Sequence, residues 1–363
     1  MDILIFIVVI VALIVVHEFG HFVAAKLSGM RVDEFGLGYP PRALTLAKRG
    51  ETLYTLNWLP FGGFVKIYGE DGGSGSRAFS SKSRLAQAFM LIAGVAMNAL
   101  FAYVLITGAL ITGTPRALAP DELAIARNAE LAVANVLPGS PAARAGLLAG
   151  DTILSSEDGH FLYAGVDPAA FSKFVSDGQG NTTIALAVRH PSSEEETVFA
   201  RPEVGIVPSD PSRAVLGVEV ATIGVVSLSF TEAATEGAVL TWSATILTAE
   251  GLWHFFSGVF TLSADLSQVA GPVGIVGIVG TASSQGFGNL LSLMAIISIN
   301  LALINLIPVP ALDGGRLLFV IIESVIRRPI KASVTHAVNA LGFIFLILLM
   351  VVVTAHDIFR IVG

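Results

Sequence analysis

Cysteine is absent from all 363 residues, which excludes disulfides and thiolate ligands and leaves only nitrogen and oxygen donors for a metal ion. Charge is scarce as well. Asp, Glu, Lys and Arg make up 13% of the chain, against about 25% in soluble domains, while apolar residues reach 53%, so the composition is that of an integral membrane protein. The net charge of −7 lacks the positive excess that nucleic-acid binding requires. The first segment also lacks the marks of a signal peptide: Asp2 stands where a basic region belongs, the apolar run exceeds the usual length, and no small-residue cleavage site precedes the histidines.

What is present is long apolar runs. Residues 3–25, 86–113, 290–312 and 337–355 each approach the ~20 residues that a membrane-crossing helix needs. Basic residues crowd the first connection (Lys26, Arg31, Arg42, Lys48, Arg49, Lys66, Arg77, Lys82, Arg84) and the third (Arg316, Arg327, Arg328, Lys331). By the positive-inside rule both face the cytoplasm, and the acidic segment between spans two and three lies outside with both termini.

Inside the first apolar run stands His17-Glu18-Phe19-Gly20-His21. On a helix, positions 17 and 21 lie one turn apart on one face, so both imidazoles reach a common ion, and Glu18 is placed to take a proton from a metal-activated water. The alternative is two core histidines and a glutamate satisfying one another. Ionisable groups at membrane depth are costly without a compensating partner, which favours the metal. Two imidazoles are one ligand short of a catalytic zinc site. Asp313 is the best candidate for the third, in the run Ile307-Pro308-Val309-Pro310-Ala311-Leu312-Asp313-Gly314-Gly315, where prolines and glycines break a helix at a matching depth. A helix C-cap is the competing role for Asp313, and an acid suits that negative end poorly.

Between the first two spans, Thr52–Leu59 alternates, and turns are expected at Lys48-Arg49-Gly50 and Gly62-Gly63, so the segment reads as β-strands followed by a flexible linker at 71–76. In span two, Gly94 and Asn98 suit either a helix-packing seam or a substrate-facing role. From 130 to 222 the chain reads as a soluble β-rich domain with His160 and His190 on its surface. The apolar runs 237–249 and 251–264, bounded by Glu236, Glu250 and Asp265, are too short to cross and suit interfacial helices.

Taken together, the His17–His21 motif, the run Gly139-Ser140-Pro141-Ala142-Ala143 to Gly150-Asp151-Thr152-Ile153, which resembles a PDZ domain, and the run from Asn305 to Gly315 resemble the bacterial site-2 protease family. These are intramembrane zinc metalloproteases of the regulator-of-sigma-E type. The resemblance implies Zn2+ held by His17, His21 and Asp313 with Glu18 as the catalytic base. It implies substrate-binding roles for Asn300, Asn305, Asn98, Gly62, Gly63 and Phe64, although Val95 stands where the family's Gly-Pro-x-x-Asn pattern has proline. The expected fold is a polytopic α-helical membrane protein with four transmembrane helices, a membrane-associated β-hairpin element and an inserted PDZ-like domain.

The expected divisions are 1–28 (helix one), 29–84 (cytoplasmic-side β element and linker), 85–114 (helix two), 130–222 (extracytoplasmic PDZ-like domain), 233–265 (interfacial helices), 290–315 (helix three) and 337–357 (helix four). The expected activity is cleavage of single-pass membrane proteins, such as anti-sigma factors or remnant signal peptides, in the bacterial cytoplasmic membrane. Its partners would be those substrates, the lipid bilayer and an extracytoplasmic ligand of the PDZ-like domain, with no nucleic acid. A catalytically silent scaffold with a structural metal is the alternative. The retained Glu18 weighs against it, because a structural site needs no base.

Overall fold

The computed structural model describes residues 2–70, 75–177, 182–191, 194–207, 210–261 and 271–362. Most of the expected 71–76 linker, and the end of the expected 233–265 segment, lie outside these residues. The chain forms two compact units, one from Met1–Thr112 with Ser229–Gly363 and one from Gly113–Leu228.

In the first unit, four helices are long and apolar enough to cross a membrane: α1 (Asp2–Leu27), α2 (Arg84–Thr112), α7 (Phe287–Leu306) and most of α9 (Ala332–Val362). α7, with 20 residues, is about 30 Å long, the thickness of a hydrocarbon core. It stops at Leu306 instead of running through 315, because Pro308 lacks an N–H and forces the preceding Ile307 into an extended conformation (φ −63°, ψ 136°). A separate helix, α8 (Asp313–Ile326), starts at the acid itself.

A second difference lies before α7. The expected pair of interfacial helices is joined in one 31-residue helix, α5 (Phe230–Phe260). The expected break at Glu250-Gly251 holds nothing that stops a helix: Glu is a good helix former, and one Gly costs only ~1 kcal/mol. The Tyr103 hydroxyl on α2 donates to the Ala234 carbonyl at 3.3 Å, and Ala244 packs on the α2–α7 seam of Ala102, Leu105, Ala295 and Ile299. The shorter α6 (Pro272–Ser284) packs through Ile275 and Val279 on Val9 and Leu13 of α1.

Strands β1 (Val32–Arg49) and β2 (Thr52–Ile67) turn at Gly50-Glu51, and each is bent so that it pairs with the other twice. Four rungs result, in the order 63–67, 32–37, 53–56, 42–49. Thr55 therefore pairs with Gly36 on one side and Thr45 on the other, and the outer strands are 63–67, which packs on α1, and 42–49, which is exposed. A core of Ala24, Met30, Val32, Ile67, Met90 and Val320 binds this sheet to α1, α2 and α8.

The second unit is a sheet in the order β3-β9-β4-β5-β7-β8: β3 (Thr114–Ala117), β9 (Val218–Val226), β4 (Arg127–Val136), β5 (Thr152–Glu157), β7 (Ile184–Arg189) and β8 (Glu195–Ala200), with β6 (Leu162–Tyr163) on β5. Two short helices, α3 (Pro141–Arg144) and α4 (Pro168–Asp177), accompany it. Leu131, Val133, Phe171, Ile184 and Leu186 form its core. β3 extends the unit to 113, beyond the expected start at 130, because β3 pairs with the distant β9. His190 is more than a surface residue: its Nδ1 lies 2.7 Å from Oδ1 of the fully buried Asp151.

Candidate metal centre

α1 delivers His17 and His21 to one face as the four-residue spacing requires, and both are buried (8% and 6% exposed). Asp313 reaches them across 292 residues of sequence. Its Oδ2 lies 2.9 Å from His17 Nε2 and 3.1 Å from His21 Nε2, and the two Nε2 atoms are 3.1 Å apart. Three lone-pair atoms converging at such distances repel unless a cation or shared protons lie among them. The donor set of two imidazole nitrogens and one carboxylate oxygen suits zinc, and catalytic zinc sites hold three protein ligands with the fourth position open. The competing C-cap role for Asp313 does not arise. As the first residue of α8 it stands at the positive end of a helix dipole, where a carboxylate is favoured.

The packing that brings Asp313 inward needs a residue without a side chain beside it. A Cβ at Gly314 would lie 2.3 Å from the Leu306 carbonyl oxygen, so α8 starts against the end of α7 only because glycine is there.

α2 supplies what stands behind the imidazoles. His21 Nδ1 donates to the Met90 carbonyl at 2.8 Å. Two turns along α2, the amide nitrogen of Asn98 lies 3.3 Å from His17 Nδ1. Between them is Gly94, where a Cβ would come within 2.4 Å of His21 Nε2 and 2.8 Å of His17 Cε1. Residues 90, 94 and 98 thus form one stripe facing the two rings. Asn98, expected at the substrate, is buried beside His17, on the lining of the same cavity as Glu18 and Asn305.

Glu18 accepts a hydrogen bond from the Val65 N–H at 3.0 Å, which ties it to the outer 63–67 strand of the sheet. Alongside His17, Glu18 and Asp313, the residues Tyr39, Asn98, Leu301, Asn305 and Leu312 line a cavity of about 300 Å³. Ala311, whose backbone is in the left-handed region (φ 75°), also lines it.

The other expected site residues are placed unevenly. Asn305 lines the cavity, but Asn300 does not: its amide donates to the Ile296 carbonyl of its own helix at 3.0 Å. Five residues on a helix turn a side chain by about 140°, so the two asparagines face different ways, whereas Leu301 shares the Asn305 face. Gly62, Gly63 and Phe64 do not line the cavity either. The two buried glycines bring β2 against Ile14, Val15 and Glu18 of α1, and Phe64 stacks on Tyr39 (ring centroids 6.4 Å apart). Sequence reasoning missed Met90 and Val65, which act through their backbones, and Tyr39, which only the doubled sheet brings to α1. The stripe at 90, 94 and 98 was open to a helical-spacing argument.

A family model described as Peptidase family M50 matches residues 5–349. A Clostridium perfringens protein provisionally named a zinc metalloprotease is 34% identical over 349 residues, covering 96% of this chain and 95% of its own. Similarly named proteins of Clostridium acetobutylicum and a Nostoc species are 32% identical (95% of this chain, 94% of theirs) and 31% identical (96% and 93%). Among solved structures, the PDZ domain of an SdrC-like protein from Listeria monocytogenes is 21% identical, covering 25% of this chain and 86% of its own, with a TM-score of 0.21.

Proposed function

The chain belongs to peptidase family M50, and from that premise we propose that it is an intramembrane zinc endopeptidase of the site-2 type. It cuts single-pass membrane proteins within or near their transmembrane helices, with anti-sigma-factor-like proteins and remnant signal peptides as the substrate class. The observation that carries this reading is the convergence of His17 Nε2, His21 Nε2 and Asp313 Oδ2 within 3.1 Å, in a cavity that Glu18 also lines.

His17, His21 and Asp313 would hold zinc, which when bound lowers the pKa of water and polarises the scissile carbonyl. Glu18 accepts the proton of the attacking water and returns it to the leaving amine. The Val65 N–H fixes the direction of that carboxylate. The substrate must be extended at the site, and unwinding a transmembrane helix frees backbone amides that lipid does not satisfy. Strand addition at an edge of this β-sheet re-pairs them, and the Asn305 amide holds a further backbone group.

The orientation follows from charge. The basic first and third connections lie in the cytoplasm and the β-rich second unit lies outside the bacterial cytoplasmic membrane, where a PDZ-like groove meets extracytoplasmic segments of its partners.

The deciding experiment is Glu18→Gln. This variant should keep zinc at wild-type stoichiometry and lose at least ~10²-fold in cleavage rate, the scale of a missing general base. His17→Ala and Asp313→Ala should lose metal and activity together. Metal analysis alongside cleavage of a purified model substrate reads both, and near-normal turnover by Glu18→Gln would sink the mechanism.

A further inference from the structure

We propose that Asn98 is a positioning residue: its amide oxygen accepts the His17 Nδ1 hydrogen and so holds that imidazole in the tautomer whose Nε2 is free to bind metal. The inference rests on the zinc reading above and assigns a task to a side chain that the proposed chemistry leaves unused.

The two histidines have parallel surroundings. For His21 the partner is unambiguous, since the Met90 carbonyl only accepts; Nδ1 must carry the hydrogen, and Nε2 presents a lone pair toward Asp313. His17 needs the same tautomer to bind the same ion, and an acceptor at Nδ1 fixes it. The group found there is the amide of Asn98, a residue with no exposed surface, at 3.3 Å. With its nitrogen toward the ring, Nδ1 would have to accept, which places the hydrogen on Nε2 and removes it as a ligand.

An amide turned end for end has the same shape. Turned, its oxygen receives the Nδ1 hydrogen, and His17 matches His21. The position is anchored from a third helix: Ser298 of α7, itself fully buried, donates to the Asn98 backbone carbonyl at 2.8 Å. Gly94, one turn back, leaves room for the rings. The Gly94-to-Asn98 spacing is therefore accounted for by the ligands.

The test compares Asn98→Leu, of similar size with no acceptor, and Asn98→Asp, which in its ionised form only accepts. Full-length protein in detergent is loaded with zinc and its release to a chelator is timed; cobalt(II) substitution gives a ligand-field spectrum independent of turnover. We expect Asn98→Leu to bind zinc 10- to 100-fold more weakly, roughly the scale of lost outer-sphere partners, with an altered cobalt spectrum. Asn98→Asp should stay within a few-fold of wild type. Wild-type zinc retention in Asn98→Leu, or a folded Asn98→Asp as weak as Asn98→Leu, overturns the proposal. Should Asn98→Leu not fold, Asn98→Asp decides alone, because weak zinc binding in that folded variant rejects an acceptor role. Failure of the underlying zinc reading would look different: wild type itself would bind no zinc dependent on His17.

Discussion

At the scale of single residues, the centre depends as much on what is missing as on what is present. Gly94 is the sharpest case. A methyl group there meets His21 Nε2 at 2.4 Å and His17 Cε1 at 2.8 Å, distances at which one of the rings must move. Gly94→Ala should therefore weaken zinc retention by an order of magnitude or more and lower stability by about 1–3 kcal/mol, the usual cost of overpacking. A chelator challenge and a thermal melt of the purified protein measure both, and unchanged zinc release would show that the rings have slack. His190 gives a residue-scale prediction in the other unit. Hydrogen bonds to Asp151 first, and then to Glu196, raise its pKa above the ordinary imidazole value. The folded value exceeds the unfolded one, so the contribution to stability is fully present below about pH 6.5 and is lost as pH rises through the raised value. Backbone exchange near Leu148 and Asp151, corrected for its intrinsic pH dependence, should quicken across that window. His190→Gln should flatten the response.

At the scale of elements, the end of α7 and the start of α8 decide which side chains reach the cavity. Asn305 and Asn300 are both asparagines of the same helix, separated by about 140° of rotation. Asn305→Ala should keep zinc yet cleave stable substrate helices several-fold more slowly, with partial recovery when the substrate carries Gly or Pro near its cut site. Asn300→Ala should match wild type on both substrates, since its amide is engaged with Ile296 on the same helix. Equal losses from the two variants would remove the cavity-facing role of Asn305. The hairpin makes a related point. Alternation marks 52–59 as a strand, but an interior or edge position depends on how often each strand folds back, and Thr55 proves to be interior, between Gly36 and Thr45.

At the scale of the whole molecule, the four apolar helices and the distribution of Lys and Arg predict one orientation. The chain has no cysteine, so single cysteines report it cleanly. A membrane-impermeant thiol reagent applied from outside should label a cysteine at position 160 and not one at position 76. Labelling of a cysteine at position 250 from the cytoplasmic side would show that α5 crosses the membrane and would overturn the four-span arrangement. Its 31 residues are long enough to do so, but Glu236, Glu250 and His254 lower its hydropathy below that of the other four.

The sequence by itself determined the class of protein, the pairing of His17 with His21 and the choice of Asp313. Each follows from local rules: the length of an apolar run, the helical repeat, and the cost of an acid at membrane depth. It also located the β-rich insert through changes in composition, but not its first strand, β3, which pairs with β9. Only the tertiary structure decided that Asp313 opens α8 instead of closing α7, that the two expected helices before α6 are the single α5, and that Asn98 faces His17 while Asn300 faces away. Those outcomes depend on contacts between segments far apart in the chain, such as Gly314 against Leu306, Asn98 against His17 and Val65 against Glu18. Backbone groups form several of them, and a backbone N–H or carbonyl leaves no trace in the identity of its residue.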